Sequence, residues 1–70
     1  MDFVSVTSSN VAAIAYAPET QTLHVKFLNG SEYAYAGVPE VDYTDMLSAP
    51  SVGKFLHQRI KGIYPYTKVG

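Results

Sequence analysis

LHVKFLNGSEYAYAGVP, residues 23–39, alternates large and polar side chains on both sides of an Asn-Gly pair. Leu23, Val25 and Phe27 alternate with His24 and Lys26, Asn29-Gly30 marks a turn, and Tyr33 and Tyr35 alternate on the return. A period of two flanking Asn-Gly is the strongest local signal for a β-hairpin. The loop type decides where the tyrosines point, because a one-residue slip moves every side chain to the opposite face. A three-residue loop, Leu28-Asn29-Gly30 with a left-handed Gly30, pairs Val25 with Tyr33 and Leu23 with Tyr35, which sends both tyrosines to the core. A two-residue Asn29-Gly30 loop sets Lys26 opposite Tyr33 and His24 opposite Tyr35. That arrangement makes an outer aromatic platform on which bases could stack. Both loops are common in hairpins, and the thin core of so short a chain favours the first.

Working outward, Val11–Ala17 reads as a strand with Ile14 and Tyr16 on one face and alanines on the other. Pro18-Glu19-Thr20-Gln21 has turn chemistry and returns the chain antiparallel through Thr22–Leu28. The resulting expectation is an α+β fold in which a three-stranded antiparallel meander packs against two helices. Phe3–Val6 is compatible with a short strand, and Ile63–Val69 with a final edge piece, Pro65 being unable to donate to a ladder. Val38-Pro39-Glu40 opens the first helix, with Glu40 and Asp42 near its positive end. Tyr43, Met46 and Leu47 are spaced to face the sheet, and the helix stops before Pro50. Ser51 caps a second helix that runs to about Lys61 and ends at Gly62. Val52, Phe55, Leu56 and Ile60 share its apolar arc, and Lys54, His57, Gln58 and Lys61 the opposite one. Arg59 falls inside the apolar arc and must snorkel out or find an acceptor.

Seventy residues, 47% of them hydrophobic and only 16% charged, describe one globular domain over 1–70 rather than a disordered tail. The chain has no cysteine, which removes disulfides, thiolate nucleophiles and thiolate zinc ligands. The leading MDFVSVTSS lacks a basic and apolar export signal, and no apolar run approaches the ~18 residues of a membrane span. The expected location is cytoplasmic, with no membrane partner. The net charge of −1 conceals an uneven distribution. All six acids fall within residues 1–50, with Lys26 the sole base there; residues 51–70 carry Lys54, Arg59, Lys61 and Lys68 and no acid. A basic block of this kind is an electrostatic cue for an anionic partner, although four charges also suit a solvated helix face.

The order of short motifs resembles the KTSC domain family, named from the C-terminus of some lysyl-tRNA synthetases and found also in small bacterial and phage proteins. The resemblance runs from Ser8-Ser9-Asn10 through Leu23, Val25, Phe27, Gly30, Tyr33-Ala34-Tyr35 and Val38-Pro39. It continues through Tyr43, Ser51-Val52-Gly53, Phe55, Ile60-Lys61 and Tyr64-Pro65-Tyr66. Tyr-x-Tyr followed by Val-Pro is the signature, and His57 stands where asparagine is expected. The resemblance implies a small α+β domain; from the synthetase context it implies RNA binding.

The residues offer little to an enzyme. His24 and His57 have no HExxH spacing, no Gly-x-Ser-x-Gly elbow occurs, and no metal or other cofactor is expected. Gly53-Lys54 fails the phosphate-loop pattern, with Ser48 where the first glycine belongs and Phe55 where the magnesium-binding hydroxyl belongs. A milder anion site remains at Ser51, Gly53 and Lys54, set against the plainer roles of Ser51 as a cap and Gly53 as a space-maker. The candidate ligand-binding residues are Ser51, Gly53, Lys54, His57, Arg59, Lys61, Tyr64 and Tyr66, with Tyr33 and Tyr35 as a candidate stacking face. Cations for phosphates beside aromatics for bases are the pairing that single-strand binders use. The pI of about 6.0 is far below that of strongly basic nucleic-acid domains and limits the expectation to a weak, salt-sensitive binder. The expected function is a non-enzymatic module for RNA, a nucleotide or another phosphate-bearing ligand. The alternatives are a protein-interaction or self-assembling homo-oligomeric domain and a nucleotide-sequestering protein.

Overall fold

The structure, a computed structural model, describes residues 2–70. Its sheet has five antiparallel strands in sequential order: β1 (Val4–Ser5), β2 (Val11–Ala17), β3 (Thr22–Phe27), β4 (Glu32–Tyr35) and β5 (Tyr66–Lys68). The expected three-stranded meander is therefore its centre, with one short strand added at each edge. The edge pieces are shorter than the sequence suggests. Pro65 cannot donate to a ladder, so β5 begins only at Tyr66, while the Pro65 carbonyl accepts from the Ala36 amide at 2.9 Å. Ile63 and Tyr64 belong instead to a turn closed on the Ile60 carbonyl.

The central hairpin adopts the core register. Leu23 pairs with Tyr35 and Val25 with Tyr33, and the outer tyrosine platform offered by the two-residue loop is absent. The Gly30 amide donates to the Phe27 carbonyl at 3.0 Å and the Phe27 amide to the Ser31 carbonyl at 2.8 Å. Gly30, at φ 94°, supplies the left-handed residue that lets a three-residue loop close. The Asn29 side chain accepts from the Ser31 amide at 2.9 Å and fixes the turn from within. Tyr66 lies opposite Tyr35 and Lys68 opposite Tyr33. Directly opposed residues share a face, so one side of the sheet carries Leu23, Val25, Tyr33, Tyr35, Tyr66 and Lys68.

That side receives the helices. Helix α1 (Glu40–Leu47) starts at Pro39 and buries Asp42 and Met46, with Tyr43 half-buried beside them. Tyr43 stacks on Tyr16 at 5.3 Å between ring centroids, and the Tyr16 hydroxyl donates to the Val38 carbonyl at 2.6 Å. Leu47 does not join the expected stripe: it is exposed, because it lies about 100° around the helix from the buried Met46.

Helix α2 (Val52–Phe55) is capped as expected, the Ser51 hydroxyl accepting from the Lys54 amide at 3.2 Å. It then widens into a π-helical turn over Leu56–Ile60, closed by the Lys61 amide on the Leu56 carbonyl at 2.8 Å, and Gly62 ends it at φ 79°. An i→i+5 turn takes an extra residue per revolution. Ile60 accordingly swings under Val52 and Leu56, all three buried, and Arg59 leaves the apolar arc. The core gathers Val11, Ile14, Leu23, Val25, Tyr35, Val38, Met46, Val52, Leu56 and Ile60. Fully burying a side chain of this kind contributes ~1.5–3 kcal/mol. No helix among the described residues is long and apolar enough to cross a membrane.

Candidate functional site

The helices cover the sheet only in part. Toward the hairpin tip the uncovered portion forms an open cleft of about 700 Å³, lined by Phe27, Tyr33, Tyr35 and Tyr66, with Leu28, Asn29 and Ser31 from the hairpin. Lys61 and Gly62 form the opposite rim, and Ser9 and Asn10 close one end. The tyrosines are graded in exposure: Tyr35 is 2% accessible, Tyr33 is half-buried and Tyr66 is 62% accessible. Their rings run in series, Tyr66 lying 5.8 Å from Tyr35 and 5.4 Å from Tyr33, and Tyr33 standing edge-on to Phe27 at 5.6 Å. Burial, and then the neighbouring Tyr33 and Tyr66 hydroxyls, push the Tyr35 pKa up, so the floor of the cleft is an uncharged phenol at neutral pH.

A smaller cleft of about 340 Å³ lies on the other side of Ser9 and Asn10. Ser51, Gly53, Lys54, His57 and Gln58 line it. The Ser8–Asn10 turn is thus a shared wall. The Ser8 hydroxyl donates to Asn10 Oδ1 at 3.1 Å and also accepts from the Val11 amide at 3.3 Å. Gly53 is small for this turn's sake, since a Cβ there would lie 2.8 Å from Asn10 Oδ1 and 3.3 Å from Ser8 Oγ.

The structure therefore distributes the sequence-predicted residues over three places. Ser51, Gly53, Lys54 and His57 meet in the smaller cleft, and Tyr33, Tyr35, Lys61 and Tyr66 in the larger. Arg59 and Tyr64 go elsewhere. The Tyr64 hydroxyl donates to Asp42 Oδ2 at 2.8 Å, and the Arg59 guanidinium sits 3.9 Å from Asp42 Oδ1 and 5.1 Å over the Phe55 ring. Asp42, 9% accessible, acts as an internal acceptor that ties the chain after α2 to α1. The hydrogen bond to Asp42, followed by burial, raises the Tyr64 pKa. Tyr64 is thus a fastening of the fold, with the exposed Arg59 held loosely beside it.

Charge is sorted the same way. Neither cleft is lined by an acid, whereas Lys61 borders one and Lys54 the other. Among the described residues, ion pairs form at Arg59–Asp42 and, when the imidazole is protonated, at His24–Glu32, 3.6 Å apart on the outer face of the sheet. Lys54 and Lys61 take part in neither. Lys61 Nζ lies 5.8 Å over the Phe27 ring, at the mouth of the aromatic cleft. No group of three or more histidine, cysteine or carboxylate side chains among the described residues could hold a metal ion.

Sequence reasoning missed Ser9, Asn10, Phe27, Asn29, Ser31 and Gln58 as cleft residues. Ser9 and Asn10 are visible in the sequence as a polar break, but their place between two clefts depends on a turn packed against a glycine more than forty positions away.

Comparison with known proteins places this geometry among relatives. The model of the KTSC domain family matches residues 7–64. A lysine–tRNA ligase of Nostoc is 39% identical over 61 residues, covering 87% of this chain and 11% of the ligase; the chain thus spans about a tenth of that relative. A protein of Tsukamurella paurometabola is 38% identical over 80% of this chain and 84% of its own length. The crystal structure of a KTSC domain protein from Yersinia pestis superposes with a TM-score of 0.92 at 36% identity, covering 99% of this chain and 97% of that one.

Proposed function

This chain belongs to the KTSC domain family, and from that premise we propose that it is a small non-enzymatic binding module for RNA or another phosphate-bearing ligand. The observation that carries the reading is the aromatic cleft: tyrosine and phenylalanine rings beneath a lysine that no carboxylate engages, in a chain whose acids outnumber its bases. Stacking on such rings is worth ~1–3 kcal/mol per base and tolerates any base, because every base has a π-face. Lys61 and Lys54 supply phosphate contacts, which attract strands without reading them. Relatives that carry this domain at about a tenth of their length are lysine–tRNA ligases, and a cytosolic, RNA-facing role agrees with that context.

Titration of a single-stranded RNA oligonucleotide at low salt tests the reading. Two phosphate contacts give a slope of roughly −1.4 for log K against log salt, at about −0.7 per contact on a single strand. The double variant Lys54→Glu with Lys61→Glu is expected to bind at least tenfold more weakly while melting like the wild type. Binding by the variant as tight as by the wild type would refute the assigned surface.

A further inference from the structure

The two clefts are commonly bounded by Ser9 and Asn10, and each carries its own exposed lysine. Resting on the binding reading above, we infer that they form one track of two-nucleotide length for a single strand of nucleic acid, with Asn10 at the step between its halves. A base enters the larger cleft and stacks against Tyr66 and the accessible part of Tyr33, over the buried floor made by Tyr35, its own phosphate facing Lys61. The backbone then passes the Ser9–Asn10 wall, and the next phosphate faces Lys54 in the smaller cleft.

Three observations support the continuity. The clefts abut at the same two residues. Their linings contain cations and neutral polar groups but no carboxylate, while every one of the six acids lies off the track. The tyrosine and phenylalanine rings are all in the larger cleft, and the smaller cleft, polar apart from the exposed His57 imidazole, suits backbone more than base. A duplex is excluded by the same geometry. Access to Tyr33, half-buried between Phe27 and Tyr66, requires a base free of a pairing partner.

The test compares uridine 5′-monophosphate with the 5′-phosphorylated dinucleotide of uridine by tyrosine chemical-shift titration at low salt. The dinucleotide is expected to bind about tenfold tighter. Lys61→Glu is expected to weaken both ligands several-fold, and Lys54→Glu the dinucleotide alone. Tyr66→Ala is expected to weaken both, with a melting curve run beside it because the ring packs on Tyr33 and Tyr35. Weakening that goes with a lost melting transition does not count for the track, and unchanged binding by a folded variant refutes it. If the monophosphate binds but the dinucleotide gains nothing, or if Lys54→Glu weakens both alike, the track is wrong while the binding reading stands. If neither ligand binds, the parent reading falls with it. A thymidine dinucleotide in a parallel arm tells the sources apart: preference for the ribose form assigns the track to RNA, equal binding to single strands of either sugar, and both uphold the geometry.

Discussion

Replacing Tyr64 with phenylalanine removes one oxygen atom and separates a structural tyrosine from a ligand-facing one. The lost hydroxyl donates to Asp42 Oδ2 at 2.8 Å. A hydrogen bond to a charged group contributes ~1.5–3 kcal/mol. The carboxylate is 9% accessible, so water replaces the donor poorly. Its remaining partner, Arg59, is 3.9 Å away with a side chain 56% exposed, and a pair so open to solvent contributes less than ~1 kcal/mol. The expected cost of Tyr64→Phe is therefore about 2 kcal/mol. For a domain of this size, each kcal/mol lowers Tm by ~4–8 °C, so the loss falls at about 8–16 °C. Tyr66→Phe, whose ring is 62% exposed on the last strand, is expected to stay within ~0.5 kcal/mol of wild type. Thermal and urea unfolding of both variants, with Asp42→Asn completing a double-mutant cycle, measures the coupling. Alkaline pH provides an independent reading. The folded-state pKa of Tyr64 is raised, so its contribution is complete below the ordinary tyrosine value of about 10 and is lost as pH rises through the folded-state value. Stability should accordingly fall less steeply with alkali in Tyr64→Phe than in wild type. A Tyr64→Phe protein that melts within 3 °C of wild type, taking ~1 kcal/mol as the smallest effect consistent with these figures, refutes the fastening.

Gly30→Ala tests the loop alone. Nothing lies within 4 Å of the added methyl group, yet φ is +94°, so a loss of ~1 kcal/mol from backbone strain is expected in the urea midpoint. Leu56→Ala, at the start of the π-helical turn and 1% accessible, is expected to cost ~2–5 kcal/mol and to leave a largely unfolded protein by circular dichroism at 37 °C. Gly53→Ala gains ~1 kcal/mol of helix propensity but displaces the exposed Asn10 amide from the wall between the clefts. Its melting temperature should stay near that of wild type while dinucleotide affinity falls, and a fall in both would show that the Ser8–Asn10 turn holds the fold rather than the groove.

The hairpin was legible because its register follows from local alternation and from the need of a thin core for large side chains; Tyr33 and Tyr35 point where that need sends them. The second helix was legible in its cap, its Gly62 terminator and its exposed basic arc, but its widening was not. Val52, Leu56 and Ile60 recur every four residues, slightly slower than an α-helix turns. That drift was the available signal, and it also accounts for Arg59 leaving the apolar face. In sequence Asp42 is a carboxylate suited to a helix N-terminus, whereas its hydrogen-bond partner in the fold is Tyr64, 22 positions later. Long-range pairs of this kind leave no periodicity to detect. The cleft itself was illegible for a related reason: it is the part of the sheet that the helices fail to cover, and sequence pattern reports what is buried.

The outermost strand gives the aromatic cleft an asymmetric dynamic character. A short exposed strand, Tyr66–Lys68, extended by backbone hydrogen bonds at Pro65, Val69 and Gly70, holds one wall to the sheet, and exposed margins of this sort open locally at lower free energy than the interior they border. A base lodged against Tyr66 would act as a splint on that margin. Amide hydrogen exchange along it would slow on ligand binding, while the strands at the middle of the sheet kept the same protection.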